Sequence, residues 1–168
     1  MSSDVRDRPR GGPPPRHRPS VVVAGLGNEY RRDDGAGPAA AARVVSLVTA
    51  RDVGPVVDPL DLLGRWDGAD LAVVIDAIRS GSAPGTVRIV DLETAVDDHG
   101  ATSTHGISLS GVWRLAQAVG RAPARVIVVG IEGADFGSGP GLSPAVDAAV
   151  PEAVSRVVDL IKEVNPCA

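Results

Sequence analysis

From Val21 onward the chain alternates short β-branched runs, each ended by Gly or Asp, with Ala- and Leu-rich stretches of helical period. This alternation constrains the fold more than any other feature, because it is the pattern of strands joined by crossover helices. Val21 to Gly25 is the first expected strand. Pro38, suited to the first turn of a helix, opens a helix to about Ala50, and a second strand follows near Val53 to Val57. A short helix around Leu60 to Gly68 leads to Leu71 to Asp76, a continuous apolar run of the kind buried on both faces and expected at the sheet centre. The next run, Thr86 to Asp91, comes after only nine residues, AIRSGSAPG. That is too few for a crossover helix, so this strand is expected to run antiparallel. A helix from about Ser108 to Val119, a strand from Arg125 to Ile131 and a closing helix from Pro144 to Val164 complete the pattern. The closing helix places Val150, Val154, Val157, Val158 and Ile161 at helical spacing, with an interruption expected near Pro151.

The 168 residues, 43% of them apolar, suffice for one core without disulfides. Aromatic residues make up 2%, so that core must consist of Val, Ala, Leu and Ile, which suits helices on a parallel sheet. The first twenty residues hold five Arg and five Pro against two Asp and offer almost nothing to bury. They read as a disordered basic tail, residues 1–20, ahead of a single domain, residues 21–168. The formal charge of −4 provides no field for gathering nucleic acid, so no nucleic-acid partner is expected. The sole cysteine, Cys167, can neither close an internal disulfide nor rest on a rigid scaffold. With no apolar run of membrane-spanning length and no hydrophobic leader, the protein is expected to be soluble and cytoplasmic, with no membrane partner.

The turn after the first strand, GLGNEY, has two of the three glycines of a dinucleotide fingerprint, but Tyr30 stands at the third. About ten residues, NEYRRDDGAG, separate it from Pro38, so no helix N-terminus is expected to face Gly25 and Gly27. The loop lacks the Lys-Ser/Thr pair of a P-loop, and Asp33 and Asp34 repel an anion. A cation or a peptide is the expected guest.

Open α/β sheets bind ligands beyond the carboxyl ends of their strands. If strands one and three are neighbours, the Asp33-Asp34 loop and Asp76 flank one crevice, and His105, just before a helix, can reach the same rim. Two carboxylates and an imidazole make an open oxygen and nitrogen ligand set for a borderline divalent metal, and equally an acid-base set. Structural roles are open for each: Asp33 or Asp34 as a turn cap before Gly35, Asp76 as a cap after its strand, His105 as a solvated helix-start residue. His99 reads as a solvated loop residue and His17 as part of the tail. Ser108 and Ser110 sit at a helix start without a strained nucleophile elbow, which disfavours covalent catalysis.

Four blocks taken in order, VVVAGLGNEYRRDDGAG, GADLAVVIDAIRSGSAPGTV, THGISLSGVWRLAQAVG and VVGIEGADFGSGPGLSPAVDAAVPEAVSRVV, resemble the hydrogenase maturation endopeptidases. The resemblance covers nearly everything after the tail. It implies an α/β fold, a three-layer α/β/α sandwich with a mixed, mostly parallel five-stranded sheet of the phosphorylase/hydrolase-like kind. It also implies that Asp34, Asp76 and His105 form the metal-recognition and catalytic site. The first acid is often Glu in that family, so Asp34 is a shorter side chain, with Asp33 available to share or replace its role.

The activity so implied is one cut in the precursor of a nickel-iron hydrogenase large subunit, removing its C-terminal peptide after nickel is inserted. The metal would arrive with the substrate, so no tightly bound cofactor is expected. Water activation by a carboxylate, aspartic-type, and metal-assisted hydrolysis both fit the residues. The competing readings are another hydrolase on the same sheet with its own metal, and a non-catalytic chaperone that binds the hydrogenase C-terminus.

Overall fold

The computed structural model of the protein describes residues 19–94 and 108–165. Most of the N-terminal tail, together with His17, His99, His105 and Cys167, lies outside the described residues. Five strands make one sheet in the order β2-β1-β3-β5-β4: β1 is Val21–Leu26, β2 Arg51–Val56, β3 Leu71–Ile78, β4 Val87–Asp91 and β5 Arg125–Glu132. The β1 strand pairs in parallel with β2 and β3, β3 pairs in parallel with β5, and β4 pairs antiparallel with β5 at the edge. The apolar run from Leu71 is the central strand, buried along its first five residues, as its lack of polar alternation demands. The β3-to-β4 connection crosses the end of β5, so that β4 adds on the far side of that strand.

Alternate strand residues feed two cores. Val21, Val23, Val73 and Ile75 pack on α1 (Ala36–Val45) and α4 (Pro144–Val164). Val22, Ala24 and Val74 pack on the opposite side, against α2 (Leu62–Arg65) and α3 (Leu109–Ala118). The result is the expected three-layer α/β/α sandwich, built almost wholly from Val, Ala, Leu and Ile.

Three expectations need correction. The first helix starts at Ala36 and stops at Val45 rather than running from Pro38 to Ala50, because the Ser46 hydroxyl donates to the Arg43 carbonyl at 2.7 Å and competes with further turns. The closing helix is unbroken through Pro151: Pro151 and Asp147, whose carbonyl loses its helical donor there, are both exposed residues on the solvent face. Third, the first turn of α1 does come back against the glycine turn. A Cβ on Gly25 would lie 2.5 Å from Pro38 Cα, and one on Gly37 would lie 2.3 Å from the Leu26 carbonyl oxygen and 2.4 Å from that of Ile75. The small residues let α1 lie close on β1 and β3, which fixes the acidic loop between them over the strand ends.

Candidate functional site

The loop between β1 and α1 leaves the sheet at Gly27, whose φ of 128° is open mainly to glycine. A Cβ there would meet the Asp34 carbonyl oxygen at 1.9 Å, so the tight turn is the condition for placing Asp34. A 3-10 turn, Arg32–Gly35, carries both acids inward; Asp33 is 0% and Asp34 1% exposed. Oδ2 of Asp34 accepts from the Asn28 amide at 3.0 Å, and Arg31 Nη1 lies 3.8 Å from the same oxygen.

Asp76 lies inside β3, two residues before its end and in register with Gly130 of β5. Its neighbours in the strand divide between the two cores: Ile75 and Ala77 belong with α1 and α4, Val74 with α2 and α3. Alternation therefore turns Asp76 toward the α3 layer. Burial, joined by the negative charge of Asp34, pushes its carboxyl up to about 8. The charge of Asp34, 42 positions earlier in the chain, is thus felt at Asp76, which holds its proton at neutral pH. No described group of three His, Cys, Asp or Glu side chains is gathered for a metal; His105, the third residue of the expected set, lies outside the described residues.

Asp33 does something the sequence reading did not anticipate. Its Oδ1 accepts from the Ser143 amide at 2.6 Å; its Oδ2 accepts from the Ala134 and Asp135 amides, each at 2.8 Å, and from the Ser143 hydroxyl at 2.9 Å. Burial pushes its carboxyl up, but these four donors outweigh it and hold the group below its ordinary value. With its lone pairs so engaged, Asp33 is not free to share or replace the role of Asp34.

A second buried acid, Glu132 at the end of β5, was missed altogether. It is 3% exposed and accepts from the Ser80 amide at 2.8 Å, the Gly81 amide at 3.0 Å and the Ser80 hydroxyl at 2.7 Å. Burial again pushes it up, and the donors from the 80–82 segment again prevail, so this group too is held low. The available signal was a lone acid closing an apolar strand, RVIVVGIE, opposite a small-residue loop, SGS.

Comparison with known proteins identifies the family. Residues 52–160 match the family model of the hydrogenase maturation proteases. The chain is 30% identical over 153 residues to the hydrogenase expression/formation protein HoxM of Cupriavidus necator, covering 84% of this chain and 74% of that one. It is 29% identical to the hydrogenase 2 maturation protease of Escherichia coli, covering 85% and 91%. Among solved structures, the nickel-iron hydrogenase maturation protease HybD from Thermococcus kodakarensis aligns with a TM-score of 0.70 at 28% identity, over 85% of this chain and 99% of that one. With a family model matched along most of its length and relatives of the same description at both levels, the chain belongs to the hydrogenase maturation protease family.

Proposed function

We propose that the protein cuts the C-terminal peptide from the large-subunit precursor of a nickel-iron hydrogenase once nickel is in place, and that Asp34, Asp76 and His105 carry this activity. The observation that supports the reading is that the turn bearing Asp34 and the end of β3 bearing Asp76 stand at the carboxyl ends of two neighbouring parallel strands, where open α/β sheets take their ligands, and that the charge of Asp34 raises the Asp76 carboxyl. The chain path supports His105 as the third member. The α3 helix is followed by the short segment 119–124 and then β5, so its start faces the carboxyl ends of the parallel strands. His105 precedes that start, Leu109, by four residues, a reach of at most about 14 Å. The helix packs on the layer toward which Asp76 turns.

Nickel is part of the substrate in this account. Without it, Asp76 holds a proton; a divalent centre brought beside it favours the ionised form, displaces that proton and gains a carboxylate ligand. A precursor without nickel offers nothing for which the pair has differential affinity, so it is not selected. Asp34 then acts as base: a water proton passes to its carboxylate as the water oxygen bonds to the scissile carbonyl carbon. The same proton moves on to the departing amine nitrogen as the C–N bond breaks. The products are a new C-terminal carboxylate on the large subunit and a free peptide. Such a reaction belongs in the cytoplasm, and among the described residues no helix is long and apolar enough to cross a membrane.

The test is substitution with nickel-loaded precursor as substrate. Asp34→Asn, Asp76→Asn and His105→Ala should each reduce cleavage by at least about a thousandfold, on the scale of losing an essential acid-base or ligand group, while the far-ultraviolet circular dichroism spectrum is kept. Wild-type cleavage rates in Asp34→Asn and Asp76→Asn would refute the assignment.

A further inference from the structure

Asp33 and Glu132 are two buried carboxylates whose donors, as described above, are backbone amides and serine hydroxyls rather than a cation. A charge placed like this is held by whatever segment supplies the N–H groups, and it holds that segment in return. Each acid takes donors from one loop. Glu132, at the end of β5, catches Ser80 and Gly81 where the β3-to-β4 connection crosses that strand. Asp33, on the loop after β1, catches Ala134, Asp135 and Ser143 at both ends of the 133–143 loop that leaves β5. That second loop is also fastened along its length: Arg32 N donates to the Gly139 carbonyl at 2.8 Å, and Gly139 N donates to that of Tyr30 at 2.8 Å. The two loops meet where the Arg79 guanidinium stands 4.4 Å from the centre of the buried Phe136 ring. Asp76 belongs to the strand between β1 and β5, and the loop that leaves β5 is stapled to the loop that leaves β1, so the frame closes around the strand end that bears it.

We propose that Asp33 and Glu132 are positioning residues for cleavage: buried anions that clamp loops 133–143 and 79–82 into a rigid frame, which sets where a substrate chain lies relative to Asp34 and Asp76. This rests on the reading of Asp34 and Asp76 as the cleavage pair. Neutral isosteres test it, because an amide turns an NH2 donor toward at least one backbone N–H that needs an acceptor.

The experiment measures kcat and KM on nickel-loaded precursor, together with hydrogen exchange of the two loops in the full-length protein. For Glu132→Gln, amides in 79–82 should exchange at least about tenfold faster, as expected from losing a charge-assisted bond. KM should rise about tenfold while kcat stays within about threefold, because the frame orients the substrate and does not transfer the proton. Asp33→Asn should do the same for 133–143. Where a neutral variant does not fold, Ser80→Ala or Ser143→Ala removes a single hydroxyl donor and should move exchange and KM in the same direction by a smaller factor. Unchanged loop exchange, or unchanged KM in variants whose loops have loosened, overturns the proposal. Asp34→Asn separates the two readings: normal cleavage in that variant sinks the cleavage-pair assignment, whereas loop exchange continues to report the clamp.

Discussion

The protonated state of Asp76 has a thermodynamic consequence that does not depend on any substrate. Its carboxyl stands at about 8 in the folded protein against 3.8 in the reference state. Between those values the folded state binds one proton more than the unfolded state, so stability falls as pH rises and levels off above about 8. The difference is roughly four pH units at about 1.4 kcal/mol each, on the order of 6 kcal/mol across the window. The Asp76→Asn variant keeps the shape of the side chain and removes its titration. Subtracting the unfolding free energies of wild type and variant in urea, at half-unit steps from pH 5 to 9, isolates the titration of Asp76 with the charge coupled to it, because groups remote from the site cancel. The variant should gain on the wild type by about 1.4 kcal/mol per pH unit below pH 8 and by little more above it. A difference that is flat from pH 5 to 9 would refute the coupling of burial and Asp34 charge on which the site assignment depends.

Three further outcomes follow from the same geometry. Gly27→Ala puts a Cβ 1.9 Å from the Asp34 carbonyl oxygen at a φ of 128°; it should cost about 3 kcal/mol or more, visible as a lowered melting temperature, and should impair cleavage by displacing Asp34. Glu132 is held low in the folded state, so its contribution is present at neutral pH and lost on acidification. The stability gap between wild type and Glu132→Gln should therefore narrow as pH falls through the carboxylate range, which acid titration of the two circular dichroism signals would reveal. On the proposed reading nickel displaces a proton from Asp76, so affinity for nickel-loaded precursor should increase about tenfold per pH unit below 8, as read by calorimetric titration with an uncleavable precursor.

The layers and strand directions were legible because they follow from period and length alone. LAVVID has no polar alternation, and it is the central strand; the nine-residue AIRSGSAPG segment is too short to cross over, and β4 is antiparallel. Element ends were less legible where a local side chain decides the matter, as Ser46 does at the end of α1. In the site, the topology of neighbouring strands could bring the Asp33-Asp34 loop to Asp76, while Asp34 itself was named only by the resemblance. The neighbouring acid Asp33 could not be told apart from Asp34, since both are Asp in one turn and differ only in which way the 3-10 turn points them. Glu132 was hidden for a related reason: its partners are backbone amides of a loop 52 residues earlier in the chain, and backbone donors leave no mark in a sequence. What looked like a failed nucleotide fingerprint is a packing device, with Gly25 and Gly37 allowing α1 to approach the sheet.

The central claim is that the paired acids inspect a metal delivered inside another protein. Its most direct test is to incubate the protein with nickel-loaded and nickel-free large-subunit precursors in parallel and read both C-termini by intact mass spectrometry. The account predicts loss of the C-terminal peptide from the loaded precursor alone; efficient trimming of the nickel-free precursor in the presence of a chelator would contradict it.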